Sequence, residues 1–126
     1  PIVADQVLYH PYKDQSALHE YCVDEGVALT AYSPLARGRV LDDRTLAEIG
    51  DQHSKSAPQV ALRWLVQQEA GVAIPKTTSR EHLQDNLAVF DFELSDDEMA
   101  RIDALDGDIG TRVRNRLPGL MRRLPL

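Results

Sequence analysis

A chain of 126 residues, 43% hydrophobic and 27% charged, holds enough apolar material for a globular core and too little charge for a disordered one. Fourteen Lys and Arg against twenty Asp and Glu leave a formal charge of -6, which argues against a general nucleic-acid coat and implies no phosphate-backbone partner. Cys22 is the single cysteine and has no internal disulfide partner, and no run approaches the roughly 18 to 20 apolar residues that cross a bilayer. One domain of the reducing cytoplasm, or a piece of one, is expected, with no membrane partner.

The chain opens on Pro1 and enters at once on Ile2-Val3-Ala4 without a basic and apolar leader, so it reads as a segment of something longer. Ile2 to Leu8 are mostly β-formers, and Pro11 closes that strand by removing a backbone donor. Lys13 to Glu25 then places Leu18, Tyr21 and Cys22 at helical spacing, with Ser16 or Asp14 available as the cap. Gly26 sits where a helix C-terminus favours a left-handed residue. Val27 to Tyr32 (VALTAY) is nearly continuous apolar sequence, the pattern of a strand buried on both faces of a parallel sheet. Pro34 and Gly38 end it in a loop, and Leu46 to His53 form a short helix.

Pro58 is placed as the first residue of a further helix, Gln59 to Gln68, with Ser56 as its cap and Val60, Leu62, Trp64 and Leu65 on more than half its circumference. Gly71 is read as its stop, Val72-Ala73-Ile74 as a third buried strand, and Pro75 as the end of that strand. A polar turn, Lys76 to Ser79, leads into a helix from Arg80 to Val89. Ser95 and Glu98 make a capping box before Met99, Ile102 and Leu105.

Three consecutive βα units imply parallel strands with right-handed crossovers, in an open doubly wound sheet or in part of a (β/α)8 barrel. No strand-to-helix turn carries G-x-G-x-x-G, which favours the barrel piece over a dinucleotide fold of the Rossmann kind. Four motifs in fixed order then become specific: DQVLYHPY, LTAYSPLARG, APQVALRWL and AIPKT, extended by LAVFDFELSDDEM. Together they resemble the C-terminal half of an aldo/keto reductase over roughly Val3 to Leu105, within it the group that includes the 2,5-diketo-D-gluconate reductases.

That resemblance implies a parent (β/α)8 TIM barrel of about 250 residues or more, of which this chain supplies strands six to eight, a C-terminal helix and a tail. Residues 1–126 are then a partial reductase domain with 107–126 as its tail, and the missing N-terminal half of the barrel is its structural partner. The family's catalytic Asp, Tyr, Lys and His lie at earlier strands, so no catalytic residue is assigned here. What the resemblance places in this half is most of the site for NADP(H) or NAD(H), used to reduce small carbonyl substrates.

Each implied position also has its own chemistry. Gln6 carries an amide able to donate and accept, which suits a nicotinamide carboxamide, although a polar residue packed inside a barrel is the alternative. Tyr32 matches the aromatic residue that stacks on the nicotinamide ring, against a plain core tyrosine. Ser33 and Leu35 offer backbone donors for the pyrophosphate, and Arg37 adds charge or merely decorates a surface loop. Lys76 and Thr77 precede a helix N-terminus, where a 2'-phosphate finds a cation and a hydroxyl. The family's 2'-phosphate arginine falls on His82, a departure that leaves NADP against NAD open, with Arg80 two residues earlier as a substitute. Asn86 matches the adenine-contacting Asn, or is a solvated helix residue.

His10, His19 and His53 are not spaced as a metal set, so no metal is expected, and Cys22 reads as a small core residue. The tail from Thr111 to Leu126 holds Arg112, Arg114, Arg116, Arg122 and Arg123 and no acidic residue. In the family this segment folds over the barrel mouth and shapes the substrate pocket; Pro118-Gly119 argues against a long amphipathic tether. Two other readings remain beside the reductase: a non-catalytic barrel that holds cofactor for regulation, as the potassium-channel β subunits do, and a truncated chain without activity.

Overall fold

A computed structural model describes residues 1–106. Its centre is a parallel sheet of β1 (Ala4–Leu8), β2 (Ala28–Tyr32) and β3 (Gly71–Ala73), in the order β1-β2-β3. Between β1 and β2 runs α1 (Ser16–Glu25); between β2 and β3 come a 3-10 segment (Ala36–Asp42), α2 (Arg44–His53) and α3 (Ala57–Gln67). After β3 follow α4 (Arg80–Leu87), a 3-10 turn (Ala88–Asp91) and α5 (Asp96–Asp103). This is the expected succession of three βα units, with the first strand starting two residues later than Ile2.

The helix ends that depend on local chemistry form as expected. Gly26 takes the left-handed conformation (φ 68°), and its N–H and that of Val27 close the end of α1 on Val23 and Cys22 carbonyls. Ser56 and Ser95 each accept from the backbone three residues on, while Gln59 and Glu98 accept from the cap N–H, so both capping boxes are complete. The α1 N-terminus differs: Gln15 occupies the cap position without a side-chain bond, and Asp14 instead accepts from Ser16 N at 2.8 Å and from its hydroxyl at 2.6 Å. A tight turn before the helix competes with a cap within it. At α3 the helix begins at Ala57, one residue ahead of Pro58.

Gly71 is not a helix stop. It opens β3, and Ala70 takes the left-handed turn (φ 63°). Glycine stands at 71 because a Cβ there would run into the Leu65 carbonyl oxygen. Gly50 in α2 is held by the same constraint against the Lys55 carbonyl.

The core fills one side of the sheet. Leu29 and Ala31 of β2 meet Val60, Ala61, Trp64 and Leu65 of α3, with Leu46 and Ile49 of α2 and Ile102 of α5 behind them. Cys22 is buried with them, whereas Tyr21, at the same helical spacing, is exposed. The expectation that VALTAY is buried on both faces does not hold among the described residues: Leu29 and Ala31 are covered, while Thr30 is half-buried and Tyr32 is exposed. Three strands put helices on one face and leave the other, the face that closure of a barrel covers, open.

A candidate cofactor site at the strand ends

The period of two along each strand sets what the open face carries. Parallel register pairs Gln6 with Thr30 and Leu8 with Tyr32, and Thr30 with Val72, so these side chains lie in adjacent rows. Gln6 is exposed there and Tyr32 is 41% exposed, so neither is a packed core residue among the described residues. An amide at the middle of β1 and an aromatic ring at the C-terminal end of β2 therefore stand on the same open face of the sheet.

After β2 the backbone takes an unusual path: Ser33, Ala36 and Arg37 have φ of 48°, 52° and 54°, and Gly38 follows at 91°. Each non-glycine residue in that region carries roughly 1 kcal/mol or more of strain, so the surroundings must enforce it. Two short turns do so, Ala36 N donating to Ser33 O and Gly38 N to Leu35 O at 3.0 Å each. Pro34 and Ala36 are buried and Leu35 packs on the core, which leaves Arg37 exposed.

A partly buried cluster that sequence reasoning did not find pins this loop to the one after β1. Tyr12 donates through its hydroxyl to Asp43 Oδ2 at 2.8 Å, and the Arg39 guanidinium lies 4.3 Å from the Tyr12 ring centre. His10 is buried, its Nδ1 accepting from Tyr12 N at 3.1 Å, which assigns the tautomer with the other nitrogen protonated. Burial, then Arg39 and Lys13, lower the His10 pKa; burial and the Asp43 carboxylate raise that of Tyr12. Asp43 also accepts from Leu46 N as the α2 cap, a signal that the Asp before an apolar periodic run could have given. The Arg39 and Tyr12 partners are 27 positions apart and left no local trace.

Beyond β3, Lys76 is exposed and Thr77 is half-buried. The Thr77 hydroxyl is already engaged, accepting from Ser79 N at 3.1 Å and donating to Ser79 O at 3.3 Å, and Ser79 caps α4 by accepting from His82 N. On α4, His82 and Asn86 are four residues apart and share a face, whereas Arg80 is two from His82 and lies on another. Thus Gln6 and Tyr32 share the sheet face, Ser33, Leu35 and Arg37 form the loop beside it, and Lys76 and Thr77 lead into a helix bearing Arg80, His82 and Asn86.

Among the described residues no group of three His, Cys, Asp or Glu could hold a metal ion, and no helix is long and apolar enough to cross a membrane. His53 does have an acidic neighbour far along the chain: its Nε2 is 2.9 Å from both oxygens of Glu98. Burial pushes the Glu98 carboxyl up, but the Ser95 N–H and His53 outweigh it and hold it below the ordinary range.

Parallel strands joined by helices that cover one face of the sheet are the arrangement of a fragment of a (β/α)8 barrel, a fold whose sites lie at the C-terminal ends of the strands. Residues 1–107 match the aldo/keto reductase family, and the chain belongs to that family, as the C-terminal part of its TIM barrel. It is 42% identical over 106 residues to glyoxal reductase of Bacillus subtilis strain 168, covering 84% of this chain and 38% of that protein. It is 40% identical over 122 residues to the 9,11-endoperoxide prostaglandin H2 reductase of Trypanosoma cruzi strain CL Brener, covering 93% of this chain and 43% of that protein. Among solved structures, one named for 2,5-diketo-D-gluconic acid reductase B matches with a TM-score of 0.79 at 45% identity, over 81% of this chain and 36% of the other. A Gox0644 variant in complex with NADPH matches with a TM-score of 0.77 at 35% identity, over 86% and 41%. The chain thus spans 38% and 43% of the length of the two curated relatives named.

Proposed function

We propose that this chain is the cofactor-holding part of an NADP(H)-dependent reductase of small aldehydes or ketones, NAD(H) serving if His82 weakens the 2'-phosphate site. The observation that carries this reading is the exposed pair Gln6 and Tyr32 on the open sheet face, beside the strained loop after β2 and the Lys76 approach to α4. These groups fit the ligand: an amide for the carboxamide, an aromatic face for the nicotinamide, backbone and charge from Ser33, Leu35 and Arg37 for the pyrophosphate. Lys76, Thr77, Arg80, His82 and Asn86 supply the adenosine end. The bound cofactor supplies the hydride; these residues fix which face of its ring is presented.

No general acid is assigned within this chain, and reduction requires the remainder of the barrel, the proposed partner of residues 1–126. The short coverage of the curated relatives supports that dependence and gives the second reading, a chain inactive by itself, its footing. In the complete protein, Lys76→Ala is expected to raise the NADPH dissociation constant at least several-fold, read by fluorescence titration; unchanged affinity would sink the phosphate assignment. A complete barrel that binds NADPH tightly and reduces no aldehyde would favour the regulatory reading over catalysis.

A further inference from the structure

The loop after β2 is strained in its middle and tied at both ends. Ser33, Ala36 and Arg37 hold positive φ without being glycine, so the stretch relaxes unless its ends are fixed. The near end is tied through backbone, Tyr9 N donating to Tyr32 O at 3.4 Å just past the paired part of β1 and β2. At the far end Val40 sits in the core, and on either side of it Arg39 and Asp43 are gripped by a side chain from another loop, Tyr12.

Tyr12 stands on an anchored turn. Pro11 is fully buried, Lys13 N donates to His10 O at 3.0 Å, Tyr12 N to His10 Nδ1 at 3.1 Å, and the Gln15 amide to Leu8 O at 2.9 Å. From this base the Tyr12 hydroxyl donates to Asp43 Oδ2 at 2.8 Å, a bond strengthened by the charge on its acceptor. The same ring carries the Arg39 guanidinium 4.3 Å from its centre. Asp43 uses its other oxygen, Oδ1, to accept from Leu46 N at 2.9 Å, so one carboxylate ends the loop and begins α2. Tyr12 and Asp43 are not among the groups proposed to meet the pyrophosphate; they decide where those groups stand.

We propose that Tyr12, acting through Asp43 and Arg39, is a positioning residue for the cofactor: it keeps Ser33, Leu35 and Arg37 in the geometry that receives a pyrophosphate before the ligand arrives. This role rests on the proposed cofactor reading and gives the strained loop a function. A loop that is competent only part of the time raises the apparent dissociation constant by the inverse of that fraction. A ligand that does not touch the loop is not affected.

Two probes on the complete protein test the role. NADPH spans the loop, whereas adenosine 2'-monophosphate carries the adenine and 2'-phosphate proposed for Lys76, Thr77 and Asn86 and has no pyrophosphate. Tyr12→Phe keeps the ring and loses the hydroxyl. It is expected to raise the NADPH Kd about tenfold by fluorescence titration, and to leave the Kd of adenosine 2'-monophosphate within about twofold by calorimetry. Asp43→Asn keeps the α2 cap, so it preserves the test if Tyr12→Phe folds poorly, and it exchanges a charged acceptor for a neutral one. It should raise the NADPH Kd about threefold. Removing a negative charge would by itself tighten an anionic ligand, so weakening in this variant is the signature of the brace. The double variant should bind no more weakly than Tyr12→Phe alone, since both changes act on one contact. An unchanged NADPH Kd in Tyr12→Phe, or tighter binding in Asp43→Asn, would overturn the positioning role and leave the cofactor reading standing. Equal weakening of both probes would also overturn it, as plain damage to the fold. An unmodified complete protein that binds no NADPH would remove the cofactor reading and this role with it.

Discussion

Gly71 shows how little room the link between α3 and β3 leaves. Its N–H bonds to Gln68 O at 3.0 Å, and the position a methyl would take is already filled by the Leu65 carbonyl. Since its φ is not in the left-handed region, Gly71→Ala acts through crowding and should cost about 1 to 3 kcal/mol, read as a lowered urea midpoint with an unchanged slope. Glu98 makes a different single-residue case. Its carboxyl, held below its ordinary value of 4.5 by Ser95 and His53, favours the folded chain above that value, and the contribution is lost as pH falls through the lowered one. Glu98→Gln should therefore be less stable than the unmodified protein at pH 7, and the gap should narrow on acidification below pH 4.5, followed by urea unfolding as the pH is lowered. A gap independent of pH would mean that Glu98 acts only as a packing and capping residue.

Whole elements were legible where their signals are local. Ser56 with Gln59, Ser95 with Glu98, and Gly26 each declare a helix end within three residues, and all three ends form. Gly71 misled because the same residue type serves a stop and a close approach, and only the neighbouring backbone distinguishes them. Tyr21 misled because a helix of modest amphipathicity does not fix which flank of its apolar stripe faces the sheet. At the candidate site, the strands bearing Gln6 and Tyr32 followed from motif order, but the Tyr12, Arg39 and Asp43 contact that braces the loop after β2 joins residues too distant for any spacing rule. Gln59 shows an element bound twice: its side-chain oxygen accepts from Ser56 N at 2.9 Å while its amide nitrogen donates to Asp85 O at 3.0 Å, tying α3 to α4. Gln59→Ala should cost about 1 to 3 kcal/mol in thermal unfolding, whereas Gln59→Glu keeps the capping acceptor and loses the donor. Equal losses for both would place the energy in the α4 link, and a near-neutral Glu variant would place it in the cap.

For the molecule as a whole, the decisive feature is apolar surface that its own described elements leave open. β1 and β3 are edge strands, each paired on one side in the described sheet. Val72 and Ile74 are exposed at one edge, and beyond it Leu83 and Leu87, four residues apart on α4, together with Phe90 in the 3-10 turn that follows, make an exposed apolar stripe, Phe90 being 67% exposed. A stripe of this kind beside an open parallel edge is the surface that a further βα unit would cover, which agrees with a chain matching well under half the length of its curated relatives. The isolated 126-residue chain should therefore self-associate, its weight-average mass by sedimentation rising with concentration above the 14.1 kDa of one copy. Leu83→Glu with Leu87→Glu should suppress that association in the isolated chain. In a complete barrel, where the same stripe is buried, the pair should destabilise by several kcal/mol because two carboxylates enter an apolar interface. Opposite signs of the two effects would identify the stripe as a barrel seam. Tolerance of both glutamates in the complete protein would instead mark it as ordinary solvent-facing surface and remove the case for a neighbouring element at that edge.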